Sequence, residues 1–120
     1  MFKRKKKKRK NMTPQEYVAY TVDMPQDLFE EEIVRQKTNV GQISSMILMF
    51  EALYEQLRAN KDAVIDLVAK GYRAKEDPEV TKTLNGLYAE MTKLEMKVTY
   101  LKTRRQELIT SSEAPVDTTV

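Results

Sequence analysis

Leu84, Met91, Val98 and Arg105 stand seven residues apart, and Leu87, Leu94, Leu101 and Leu108 repeat that spacing three residues later. Steps of three and four hold these side chains on one stripe of a helix, whereas a strand would scatter them over both faces. Residues 78–110 are therefore expected as one long helix needing an apolar partner along its length. Its start is marked by Asp77-Pro78-Glu79, which supplies a cap, a first-position proline and an acid in the first turn. Lys102, Arg104 and Arg105 suit its negative C-terminal end.

The partner is found upstream. Residues 25–73 read as a helical arm opened by Pro25, with Asp27, Glu30, Glu31 and Glu32 at its positive end. Ile43, Met46, Ile47, Phe50, Leu53, Tyr54, Leu57, Val64, Leu67 and Val68 follow helical steps along it. That stripe is broader than a two-stranded seam, so at least two neighbours are expected. Gly41, beside Asn39, is the weak point at which a break or bend is expected. Asn60 and Lys61 interrupt the stripe and read as solvent-facing near the hairpin end, the alternative being a buried register-setting Asn. Gly71 and Lys75-Glu76 mark a turn, so the two arms should lie antiparallel as a hairpin. This register sets Arg105 beside Ile43 to Ser45, where no acid stands. Either the pairing frays there or a carboxylate of another subunit meets it.

Upstream of the hairpin, Thr13-Pro14-Gln15-Glu16 has the form of a capping box with proline at the first helical position. A short helix from Pro14 to Thr21 follows, and residues 13–24 form this helix and a linker. Residues 111–120 form a polar tail without periodicity. The fold class is all-α: a basic arm over residues 1–12, a short helix, a long antiparallel hairpin with coiled-coil-like heptads, and the tail. Three Gly and four Pro in 120 residues, with 32% charged side chains, accord with long helices.

Charge divides the molecule. Lys3, Arg4, Lys5, Lys6, Lys7, Lys8, Arg9 and Lys10 are consecutive. The chain has 21 basic and 18 acidic residues; without the run, 13 basic face 18 acidic, a net charge of −5. Such a run cannot fold alone, because like charges repel and nothing apolar is present to bury. Its physical use is to meet something densely negative. Phosphate contacts carry no base specificity, so non-specific binding to DNA or RNA is the expectation. The same cations suit an anionic membrane or nuclear import, and a purely solubilising tail is the plain alternative.

Catalysis is not expected. The chain has neither Cys nor His, which removes disulfides, thiol chemistry, the commonest general base and most zinc sites. No Gly-rich phosphate loop occurs, and no cofactor is implied. The acids Asp23, Asp27 and Glu30 to Glu32 form a patch suited to a cation or to the basic arm of a neighbouring subunit. Three successive acids in a helix do not converge, so a metal site is not expected. No apolar run approaches the ~18 residues of a membrane span, and no apolar segment follows the basic start to make a secretion signal. An intracellular location, or one inside a virus or phage particle, is the expectation.

A two-helix hairpin has little interior, and no disulfide or metal is available to staple it. Ile43, Met46, Ile47, Phe50, Leu53, Tyr54, Leu57 and Val64 from one arm are therefore expected to serve an oligomer or partner interface, with Leu84, Leu87, Met91, Leu94, Val98 and Leu101 from the other. The expected role is that of a structural assembly protein, with general architecture like that of virus or phage particle components. The stretch from Ala69 through Asp77-Pro78 to Leu84 and Leu87, continuing as a polar heptad helix, resembles the central hairpin of small terminase subunits of tailed phages. This resemblance covers residues 50–109 and implies ring assembly and a part in selecting DNA for packaging. The Lys/Arg run is not part of that pattern.

Overall fold

The computed structural model describes residues 12–113. Among them the chain forms four helices and no strand: α1 (Pro14–Thr21), α2 (Gln26–Arg35), α3 (Val40–Ala69) and α4 (Pro78–Glu113). The Lys3–Lys10 run and residues 114–120 lie outside the described part.

α1, α3 and α4 each start where a side chain satisfies a free N–H group, whereas α2 opens on Pro25 without a side-chain cap. Thr13 Oγ1 accepts from the Glu16 N–H at 3.1 Å, and Glu16 Oε1 accepts from the Thr13 N–H at 3.0 Å, a closed capping box ahead of Pro14. Asn39 and Gln42 build the same reciprocal pair on α3, at 2.8 and 2.9 Å. At α4 the Asp77 carboxylate accepts from the Glu79 N–H at 2.9 Å and pairs with Arg73 at 2.9 Å. The turn before it closes at Gly71, whose φ of 81° is left-handed. Its N–H reaches the Val68 carbonyl and the Tyr72 N–H reaches the Leu67 carbonyl, which satisfies the last carbonyls of α3.

α3 and α4 run antiparallel in one uninterrupted register. Arg105 Nη1 donates to Ser44 Oγ at 3.2 Å, Tyr54 Oη donates to Glu95 at 3.3 Å, and Lys61 Nζ lies 6.0 Å from the Tyr88 ring centre. Ten residues along α3, from Ser44 to Tyr54, match ten back along α4, and the next seven match seven. Arg105 thus meets a hydroxyl of its own chain at the predicted position. Of the two residues that interrupt the stripe, Asn60 is exposed as expected, whereas the Lys61 side chain is only 19% exposed, pairs with Asp62 at 3.0 Å and lies against the Tyr88 ring of α4.

The expected continuous arm over 25–73 is instead two helices. The chain breaks at residues 36–39, a few positions before the glycine that marked the weak point. Lys37 takes the left-handed conformation there, φ 53°, and the N–H groups of Lys37 and Thr38 bond the Val34 and Ile33 carbonyls. This is the same closure that Gly71 makes, built on a lysine. Gly41 lies inside the first turn of α3. At the other end, α4 continues through residues 111–113, past the expected end at residue 110 and into the expected tail.

The break lets α2 fold back and pack on α4, while α1 packs on α3. The core lies at this end: Tyr17 and Val18 of α1, Phe29 and Ile33 of α2, Ile43, Met46, Ile47 and Phe50 of α3, and Leu94 and Leu101 of α4. The broad stripe does receive more than one neighbour, because α1 and α4 both cover its first half. Beyond about residue 57 only α3 and α4 remain. The molecule measures 67 × 49 × 22 Å.

Candidate interaction surfaces

The sequence placed its interface residues on the hairpin stripe, and the fold divides them. Ile43, Met46, Ile47, Phe50, Met91, Leu94 and Leu101 are buried within the chain, spent on α1, α2 and the hairpin seam. Leu53, Tyr54, Leu57, Val64, Leu84, Leu87 and Val98 are half-buried. The apolar side chains turned to solvent are others: Leu28, Val34, Leu48, Ile65, Leu67, Tyr72, Tyr88 and Met96. Of these, Leu48 is 69% exposed although it lies between buried Ile47 and half-buried Met49. A stripe argument passes over such off-phase positions.

The root of the basic arm is defined. Met12 packs against the core, and with Thr13, Pro14 and Tyr17 it borders a groove of about 500 Å³ closed by Asn39, Gln42 and Met46 of α3. The arm therefore joins the body at the end where α3 begins and α4 finishes. Lys3 to Lys10 themselves lie outside the described residues.

The acidic patch expected over Asp23 to Glu32 does not act as a unit. Glu32 is 5% exposed and pairs with Arg35 one turn on. Glu30 accepts from Gln26 Nε2 at 2.9 Å and faces another way, into a groove bounded by α2, α3 and α4. That groove has a volume of about 950 Å³. Glu51 and Glu55 enter it from α3 and Glu95 from α4, so four carboxylates line it against the single ammonium of Lys102. Lys102 pairs with Glu51 at 3.2 Å, and Arg58 holds Glu55 from outside the groove at 2.7 Å. Tyr54, Met96, Val98 and Tyr100 supply its apolar surface. Both tyrosine hydroxyls are shifted up, Tyr54 by burial and then by the Glu95 charge, Tyr100 by burial against the opposing pull of Arg104. Gln26 donates to Glu30 and to the Met96 carbonyl, and its Oε1 is buried without a hydrogen-bond donor. No sequence signal joined these acids, because they stand on three helices up to 65 residues apart.

Beneath α2 a lysine is buried. Lys97 is 2% exposed; its Nζ donates to the Met24 carbonyl at 2.8 Å and sits 5.4 Å from the Phe29 ring centre. Burial lowers its pKa, neighbouring Lys93 lowers it further, and Asp23 and Glu90 oppose. It ties the α1–α2 linker and α2 to α4.

Among the described residues no group of three or more Asp or Glu side chains converges to hold a metal ion, and no helix is long and apolar enough to cross a membrane. No protein-family model matches this chain, and no curated protein or solved structure matches it.

Proposed function

We propose that this chain is a non-enzymatic assembly protein of a virus or phage particle, whose N-terminal arm grips nucleic acid through its phosphates while the helical body docks on copies of itself or on a larger protein assembly. The observation that carries this reading is the division of charge: eight consecutive cations precede a remainder of net charge −5 that contains no His and no Cys. Two further features support it. The arm is rooted on a capped helix at one end of an elongated body, and the body keeps large apolar side chains in solvent, Leu48 and Tyr72 above all.

The mechanism is counterion release. Each Lys or Arg that neutralises a phosphate frees a condensed cation, so eight contacts give a slope of log affinity against log salt of about −7 on duplex DNA. Competing sequences should bind alike, since backbone contacts read no bases. The decisive experiment measures duplex DNA binding from low to physiological salt, with and without residues 3–10, and records native mass in the same samples. Salt-insensitive binding, or binding that survives the deletion, overturns the reading. Flotation with anionic vesicles and indifference to DNA would assign the arm to a membrane instead.

The resemblance to small terminase subunits rests on the hairpin about Asp77-Pro78, and it makes the body a ring former. A native mass at a fixed multiple of 14.0 kDa, independent of DNA, favours that alternative.

A further inference from the structure

We propose that the groove between α2, α3 and α4 receives the Lys3–Lys10 run of a second copy of the chain, so that self-assembly and polyanion binding compete for the same cations. This rests on reading the run as a polyanion-gripping arm.

The groove and the run complement each other in charge and shape. Four carboxylates, Glu30, Glu51, Glu55 and Glu95, stand around an apolar floor that includes Tyr54 and Met96; Lys102 pairs with Glu51 and Arg58 with Glu55, which leaves the groove a net negative charge. A lysine fits that arrangement, because its alkyl stem lies along apolar surface while its ammonium reaches the rim. Aromatic floor faces add an attraction that acidic side chains alone do not provide. Along α4 the groove extends from Thr92 to Thr103, roughly 16 Å at 1.5 Å per residue. An extended chain covers that in about five residues, so the run is long enough to fill it.

The geometry favours a second copy over the chain's own arm. Met49, Leu53 and Gln56 face α1 across α3, whereas Glu51, Tyr54 and Glu55 face the groove. At 100° per residue these sets lie on opposite flanks of α3. The root of the arm, Met12 and Thr13, is on the α1 flank, turned away from the groove of its own body. An arm leaving one flank and a groove opening on the other make a head-to-tail contact, which propagates from copy to copy.

The test uses full-length chains, and the absence of native Cys makes it clean. Lys6→Cys in one chain is mixed with Thr99→Cys, an exposed groove position, in a mass-tagged chain, and disulfide-linked heterodimers are counted at low salt. Gln56→Cys, exposed on the opposite flank, replaces Thr99→Cys as the control. Heterodimer through Thr99→Cys should exceed the control about tenfold, as local electrostatic enrichment implies, and should fall to the control level in Glu51→Gln/Glu95→Gln or at 0.5 M salt. Duplex DNA should suppress it in proportion to the arm occupied. Equal crosslinking at both flanks overturns the proposal, as does an internal crosslink that dominates when Lys6→Cys and Thr99→Cys share one chain. If the crosslink fails while salt-sensitive DNA binding persists, the groove assignment falls and the nucleic-acid reading stands. If the crosslink forms and DNA neither binds nor competes, the reverse holds.

Discussion

Replacing Phe29 with Ala should detach α2 from the body. Phe29 is fully buried, edge-on to Phe50 (ring centres 5.9 Å apart, planes at 73°) and to Tyr100 (6.2 Å, 75°), with the Lys97 ammonium 5.4 Å from its centre. α2 places only two apolar side chains in the core, Phe29 and Ile33, so half of its apolar anchorage lies in one ring. A buried Phe→Ala change costs about 3–5 kcal/mol. Two edge-to-face partners, each worth about 0.5–1.5 kcal/mol, and a nearby cation place this site at the upper end, near 4–5 kcal/mol. A domain of about 100 residues has roughly 5–15 kcal/mol in all. Urea unfolding followed by far-UV circular dichroism should therefore show a sharp loss of stability, with Phe29→Leu losing much less. Amide exchange should show residues 26–35 losing protection before α3 and α4 do. A loss below about 1 kcal/mol, with α2 still protected, would refute the argument that one ring secures this helix.

Two other outcomes follow from the same physics. Lys97 is shifted below the usual lysine value of about 10.4, so between its folded and unfolded values the unfolded chain binds more protons and stability rises with pH. Tyr100 is shifted above the usual tyrosine value of about 10, so above pH 10 it acts in the opposite direction. The urea midpoint should climb with pH just below the ordinary lysine value, and Lys97→Met should flatten that climb; an unchanged climb would remove Lys97 as its source. Lys37→Gly should raise stability by up to about 1 kcal/mol, because glycine adopts the left-handed conformation without the cost a Cβ imposes. A lower thermal midpoint in Lys37→Gly would show that the Lys37 side chain does more than close α2.

Local order was readable from the chain because its causes are local. The start of α1 follows from Thr13, Pro14 and Glu16, all within four residues, and the start of α4 follows from Asp77 and Pro78. The antiparallel hairpin follows from two matched apolar repeats about a glycine turn, and its register set Arg105 beside Ser44. The cationic run needs no folding to be recognised. The break between α2 and α3 was displaced because glycine is the usual left-handed residue, and here a lysine fills that place while Gly41 continues a helix.

Tertiary structure decided how the stripe is used, which lysine is buried and where the acids gather. Ile43 to Phe50 carry the pattern of a partner surface, yet α1 and α2 take them for the chain's own core. Lys97 looks like any solvated helix residue until α2 is laid across it, 73 positions from the carbonyl it bonds. Glu30, Glu51, Glu55 and Glu95 share a groove because three helices meet there. Hydrogen bonding and side-chain periodicity act over a few residues and leave a record in the sequence. The choice of neighbour among distant segments is made by close packing, which depends on every surface at once and leaves no such record.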